Sequence, residues 1–256
     1  MVIGVPTGLR PSSSAEALTV VPGAGLLGSG TLLPALHNAR PLGLSSLAAL
    51  LVSLPVFLQA PWVRLDPVGS TLFTAVLLLV GVLLERRGEA TWKNSGSMLV
   101  GFSGSWLAGS LFWGWCRLHP LWHLPIEAFA LPLALAGLGQ ARWRLGCAFY
   151  LGSLLGTACT DAVMALTGVM RQWPLVLQAP PAQAPLLLQQ AALTVLRPLP
   201  LSTVLLAAAA IVLLCRRLRE RGPAWRLGAA SLLTTLVVDG LFLLVSLLAP
   251  HLSGLV

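Results

Sequence analysis

The chain has 256 residues, 56% of them hydrophobic and only 9% charged, with a formal net charge of +8. A soluble domain draws roughly a quarter of its residues from the charged set, so a water-facing surface here would be mostly apolar and would aggregate. That composition excludes an ordinary soluble enzyme, a nucleic-acid binder and a disordered chain, and it makes lipid the solvent.

Residues 1–41 combine Gly, Pro and Ser with Arg10, Arg40 and Glu16. They lack the ordered pattern of a basic start, a short apolar core and a small-residue cleavage site. This segment reads as a disordered cytoplasmic tail. From residue 42 to 256 the pattern changes to long apolar runs. Unpaired backbone groups are prohibitive in hydrocarbon, so each run long enough to cross is expected to be a helix. The expected spans are 42–60, 68–84, 97–116, 121–139, 145–169, 198–215 and 227–249. The fold class is therefore an all-α, polytopic transmembrane helix bundle of about seven spans, the fourth being weakest because of its prolines.

No Lys or Arg falls inside a span. With seven crossings, Arg10, Arg40, Arg86, Arg87, Lys93, Arg142, Arg144, Arg216, Arg217, Arg219, Arg221 and Arg226 fall on one side. Only Arg64, Arg117, Arg171 and Arg197 fall on the other. Lys and Arg stay preferentially in the cytoplasm, which places the N-terminus there and the C-terminus on the non-cytoplasmic side. Most of the positive charge is thus an orientation signal, densest in RRLRERGPAWR at 216–226, where contact with anionic headgroups is the alternative. Trp62, Trp92, Trp113, Trp115, Trp122, Trp143, Trp173 and Trp225 lie near span ends, as an interfacial belt requires, and Trp106 lies mid-span. Cys116, Cys147, Cys159 and Cys215 lie within spans without CxxC spacing and read as small apolar residues.

The connection 170–197 is proline-rich and then turns apolar. In LLLQQAALTVL, Gln190, Thr194 and Arg197 share a helical face, which fits either an interfacial helix or an extension of the sixth span bent at Pro198 and Pro200. Small residues at four-residue spacing mark where backbones can approach. Such ridges occur at Ser97, Gly101, Ser105 and Gly109 in span three, and at Ala148, Gly152, Gly156 and Thr160 in span five.

Three acids lie inside spans: Glu127, Asp161 and Asp239. An ionised carboxylate is costly in the bilayer, so each must be protonated, paired or wetted. At about 1.5 Å per residue, Glu127 and Asp161 fall in the non-cytoplasmic half and Asp239 falls near the midplane. With His119, His123, Arg117 and Arg197 they define an expected polar layer. His119, His123 and Glu127 follow at four-residue steps, but the outer pair would be about 12 Å apart on a helix, too far to share one ion. Structural hydrogen bonding or ion pairing is the first reading of this segment, with a proton or substrate pathway next; no metal site or cofactor is expected, and a metal or pigment at His119 or His123 is the alternative. No Ser-His-Asp order, HExxH, Walker loop or dinucleotide fingerprint accompanies the acids, so no catalytic residue is assigned.

The stretch GFSGSWLAGSLFWGWCRLHPLWHLPIEAFALPLALAG, residues 101–137, resembles cyanobacterial integral membrane proteins of the "domain of unknown function 3120" family. The resemblance implies a cyanobacterial thylakoid or plasma membrane, and it implies no activity. The leading expectation is a non-enzymatic membrane protein that moves a small solute or proton through the polar layer, or binds a ligand there. The substrate or proton pathway would use Glu127, Asp161, Asp239, His123, Arg117 and Arg197. A second expectation is an assembly or scaffold factor for photosynthetic membrane complexes, or a homo-oligomer, docking through the small-residue ridges. A third is an intramembrane enzyme using Glu127 and His123 as an acid/base pair. The bilayer is the one certain partner, and no nucleic acid is expected.

Overall fold

The computed structural model describes residues 43–87 and 89–253, so the expected tail at 1–41 lies outside the described residues. Every regular element among them is helical. Helix α1 covers Leu44–Leu65, α2 Pro67–Arg87 and α3 Ala90–Leu111. The short helices α4, His123–Glu127, and α5, Leu131–Gly137, follow. Then come α6, Arg144–Leu166, α7, Trp173–Gln178, and α8, Ala184–Val195. Two long helices, α9 at Pro198–Glu220 and α10 at Pro223–Leu248, close the bundle. Five of these, α1, α2, α6, α9 and α10, are long and apolar enough to cross a membrane. The chain is thus a multi-pass membrane protein.

Two of the expected spans take another form. The fourth, 121–139, is broken into a 3-10 turn at Pro120–Trp122, α4, a second 3-10 turn at Ala128–Ala130, and α5. Pro120, Pro125 and Pro132 remove three backbone donors, and proline rings clash with a continuing helix. The third is a 22-residue helix that starts earlier than expected, at Ala90, and passes into a π-helical turn at Phe112–Cys116. Its polar and small residues, Ser97, Gly101, Ser103, Ser105 and Gly109 among them, lower its hydropathy because it runs through the middle of the protein. Its buried positions include Ser97, Met98, Phe102, Trp106 and Ser110.

Backbone contact at glycine holds the middle together. A methyl group added to Gly101 would lie 2.3 Å from the Gly146 carbonyl oxygen, and one added to Gly152 would lie 2.3 Å from that of Gly228. Lipid gives helices little hydrophobic reason to associate, so such close approach, with its dispersion and Cα–H···O contacts, supplies the attraction. Successive contacts advance along both partners. Ser97 meets Gly146 and Phe102 meets Phe149, so α3 and α6 are parallel. Gly152 meets Gly228, Gly156 meets Thr235 and Thr160 meets Asp239, so α6 and α10 are parallel too.

The connection 170–197 resolves into α7 and α8. Helix α8 is separate from α9, because the chain leaves helical geometry at Arg197, with φ −65° and ψ 150°, before α9 starts at Pro198. Its apolar face, with Leu188, Ala191, Ala192 and Val195, is buried, and Leu188 packs with Val176, Trp113, Trp173 and Phe242. Gln189 donates to the Leu247 carbonyl on α10 at 2.8 Å. The turn between α6 and α7 begins at Gly168, whose φ of 78° is left-handed backbone that favours glycine.

Candidate functional site

The site forms where the short helix α4 packs against α3 and α6, beside the seam that joins α6 to α10. Proline breaks keep α4 short, and its carbonyl at Glu127 accepts the Tyr150 hydroxyl of α6 at 2.5 Å. This anchors α4 with His123 toward α6. His123 Nδ1 lies 3.0 and 3.1 Å from the two carboxylate oxygens of Asp161. The ring stacks in a tilted contact on Phe112, centroids 4.4 Å apart, and the π-helical turn that begins at Phe112 shapes this wall. Next to Asp161 on α6, the Thr160 hydroxyl donates to Asp239 Oδ2 at 2.5 Å, bridging α6 and α10.

These groups border a chamber of about 270 Å³, whose lining includes His123, Glu127, Thr160, Asp161, Asp239 and Gln59. Three of the expected pathway residues, Glu127, Asp161 and Asp239, thus join His123 at one chamber. Arg117 and Arg197 do not: both side chains are exposed and neither borders it. Arg117 contributes its carbonyl, which accepts the Trp173 indole N–H at 2.9 Å. The His119 side chain is exposed and also outside the chamber. Among the described residues no three His, Cys, Asp or Glu side chains converge as a metal site.

Sequence reasoning missed Gln59. It sits at the end of the π-helical segment Pro55–Gln59 of α1, where Pro55 cannot donate and the Ala60 N–H reaches back to the Pro55 carbonyl. The extra residue per turn aims the Gln59 side chain inward. Its amide donates to the Trp106 carbonyl and, at 2.8 Å, to Ser110 Oγ. Ser110 in turn pairs with Ser70 Oγ at 3.0 Å, and the Trp106 indole donates to the Ser70 carbonyl at 2.9 Å. The mid-span position of Trp106, unlike the other eight tryptophans, was the one available signal: it is buried as a structural hub against Trp62, Phe73 and Phe102.

Of the packing residues, Ser97 and Gly101 face Gly146, Gly152 faces Gly228, and Gly156 faces Thr235. Gly109 makes room for the Gln59 amide, and Ser105 lines the chamber.

The sequence profile of a family described as "Protein of unknown function (DUF3120)" matches residues 48–247, from early in α1 to the end of α10. The chain belongs to the DUF3120 family. No curated protein and no solved structure matches it. In this DUF3120 protein the matched region contains every residue that lines the chamber except Ser253.

Proposed function

We propose that the protein is a membrane carrier or binding protein for protons or a small cationic solute, working through the chamber between α4, α6 and α10. One observation carries this: three carboxyl groups, Glu127, Asp161 and Asp239, share a chamber with one imidazole, and neither Lys nor Arg borders it. Even with His123 protonated, full ionisation would leave the chamber at two negative charges, which low-dielectric surroundings penalise heavily. The chamber therefore holds protons or a cation. Imidazole is the side chain most often used to carry protons, and both Asp161 oxygens lie within hydrogen-bonding reach of His123 Nδ1.

In this reading the chain crosses seven times, with α3 and the broken α4–α5 segment as the crossings that supplement the five long apolar helices. The parallel pairing of α3 with α6 supports it, since the intervening chain must return to the first side. The basic-residue bias then puts the N-terminal end of α1 in the cytoplasm. The sequence resemblance points to a cyanobacterial thylakoid or plasma membrane as its place.

The test is proton flux into proteoliposomes with an internal pH-sensitive dye under an imposed membrane potential. The wild type is expected to acidify the lumen above protein-free vesicles, and Asp161→Asn to reduce that rate at least tenfold. Full flux in Asp161→Asn, or the absence of both flux and saturable binding of small cations, overturns the proposal.

A further inference from the structure

A second, partly open cavity lies on the other side of the α6–α10 seam, lined by α6, α7, α8, α9 and α10, with a volume of about 370 Å³. Its lining is apolar almost throughout, with Val163, Leu188, Val204, Ile211 and Leu243 as examples. An apolar cavity of about 150 Å³ already admits benzene, so this one has room for a larger hydrocarbon body. Four polar side chains interrupt it: Thr160 and Thr167, whose hydroxyls are hydrogen-bonded to Asp239 and to the Val163 carbonyl, and Asp239 and Ser246 themselves. Asp239 borders both cavities, and Ser246 borders this one alone. They stand seven residues apart on α10, about 10 Å along the axis on one face, with Phe242 and Leu243 between them. Ser246 is 1% exposed and its hydroxyl has no hydrogen-bond partner.

We propose that this second cavity binds a hydrophobic cation, an apolar body carrying one protonated amine, with the ammonium on Asp239 and the body between α8, α9 and α10. The charge relation selects that class. No basic residue lines the cavity, so an ionised Asp239 has no cationic side chain on this side. The Thr160 hydroxyl donates to one of its oxygens, but that neutral donor leaves the charge of a carboxylate in apolar surroundings unbalanced, and an opposite charge balances it. Hydrocarbon walls reject a small hydrated ion and accept an amphiphile. An anionic lipid is repelled, and a neutral bilayer acyl chain fills the volume without using Asp239 or Ser246. The unpartnered Ser246 hydroxyl gives a second polar contact to a ligand long enough to reach it. The assignment goes beyond the proton reading and does not require it, because it concerns equilibrium binding on the other side of the seam.

The experiment measures saturable binding of three radiolabelled probes with the same rigid hydrocarbon cage, 1-adamantanamine, 1-adamantanol and 1-adamantanecarboxylate, to the full chain in nanodiscs, with empty nanodiscs as baseline. The ammonium is expected to bind at least tenfold more tightly than the alcohol, and the carboxylate not above baseline. Asp239→Asn is expected to remove the preference for ammonium while leaving alcohol binding intact, which shows that the variant is folded. Ala208→Phe, which fills this cavity and not the first chamber, is expected to weaken all probes that bind. Equal binding of ammonium and carboxylate, an unchanged preference in Asp239→Asn, or unchanged affinity in Ala208→Phe overturns the proposal. So does the absence of saturable binding, which marks the cavity as acyl-chain space.

Discussion

Gly146 of α6 rests directly on Ser97 of α3: a methyl group there would lie 2.1 Å from the Ser97 carbonyl oxygen, and the Gly146 N–H donates to Ser97 Oγ at 3.2 Å. The obstructing atoms are backbone, so no rotamer change can relieve the clash and the two helices must separate. Gly146→Ala is expected to destabilise the protein by about 1–3 kcal/mol, the range for overpacking a tight interior. Gly152→Ala should behave alike, since its neighbour is the Gly228 carbonyl at 2.3 Å. Gly240 has nothing within 4 Å of an added methyl, so Gly240→Ala should be neutral within about 0.5 kcal/mol. Thermal unfolding in one detergent, followed by the fraction remaining monodisperse, ranks the three. A Gly146→Ala variant as stable as Gly240→Ala would show that the α3–α6 contact is looser than described.

Gly109 behaves differently because its neighbour is a side chain. An added methyl would meet Gln59 Oε1 at 2.7 Å, and the Gln59 amide holds Trp106 and Ser110. Gly109→Ala should therefore act by displacing that amide, at a cost of about 1–3 kcal/mol for the buried polar groups left unpaired. If so, Gly109→Ala and Gln59→Ala will not add: the double variant should be less destabilised than the sum of the singles by at least about 0.5 kcal/mol. Strict additivity in the same unfolding assay would dissociate the two residues.

How much of this was legible in the sequence follows from the range of each interaction. Apolar runs report the solvent directly, so membrane residence and the positions of α1, α2, α6, α9 and α10 could be read from hydropathy alone. The ridges at Gly101 and Gly152 were visible as four-residue spacing, but their partners Gly146 and Gly228 were not, because neither has another glycine four residues away on its helix. The acids were conspicuous for being in spans at all. Their convergence with His123 depends on a proline-broken segment, whose path is set by tertiary contacts such as Tyr150 on the Glu127 carbonyl. Arg117 and Arg197 illustrate the opposite error: similar depth along the chain says nothing about which way a side chain faces.

Sidedness can be checked with single cysteines on a cysteine-free background. With seven crossings, Glu89, Gln140 and Glu220 belong to one side and Gln183 to the other. Glu89→Cys, Gln140→Cys and Glu220→Cys should all be shielded from an impermeant maleimide in intact cells and labelled after permeabilisation, while Gln183→Cys should be labelled in both. Gln140 decides the case for the broken segment. If Gln140→Cys labels like Gln183→Cys, the chain from α3 to α6 does not cross as a unit, and the chamber would have to be placed on a different side of the membrane.

Glu85 near the end of α2 pairs with Arg142 in the turn before α6, and the two sites differ in exposure, with side chains 9% and 51% exposed respectively. Glu85 also lies against Gly96 at the start of α3, where an added methyl would come within 2.5 Å of its backbone nitrogen. The pair therefore ties the α2–α3 hairpin to the entrance of α6. Removing only the arginine strands a largely buried carboxylate, whereas removing both charges does not. Arg142→Met should thus destabilise by about 1 kcal/mol, a figure held low because the guanidinium is half in water, and Glu85→Gln with Arg142→Met should recover most of that loss. Arg142 also stacks over Trp143, 4.8 Å from the ring centre, so Met retains some packing and isolates the charge effect. A double variant less stable than Arg142→Met alone would mean that Glu85 is held by the backbone around Gly96 and not by its ion pair.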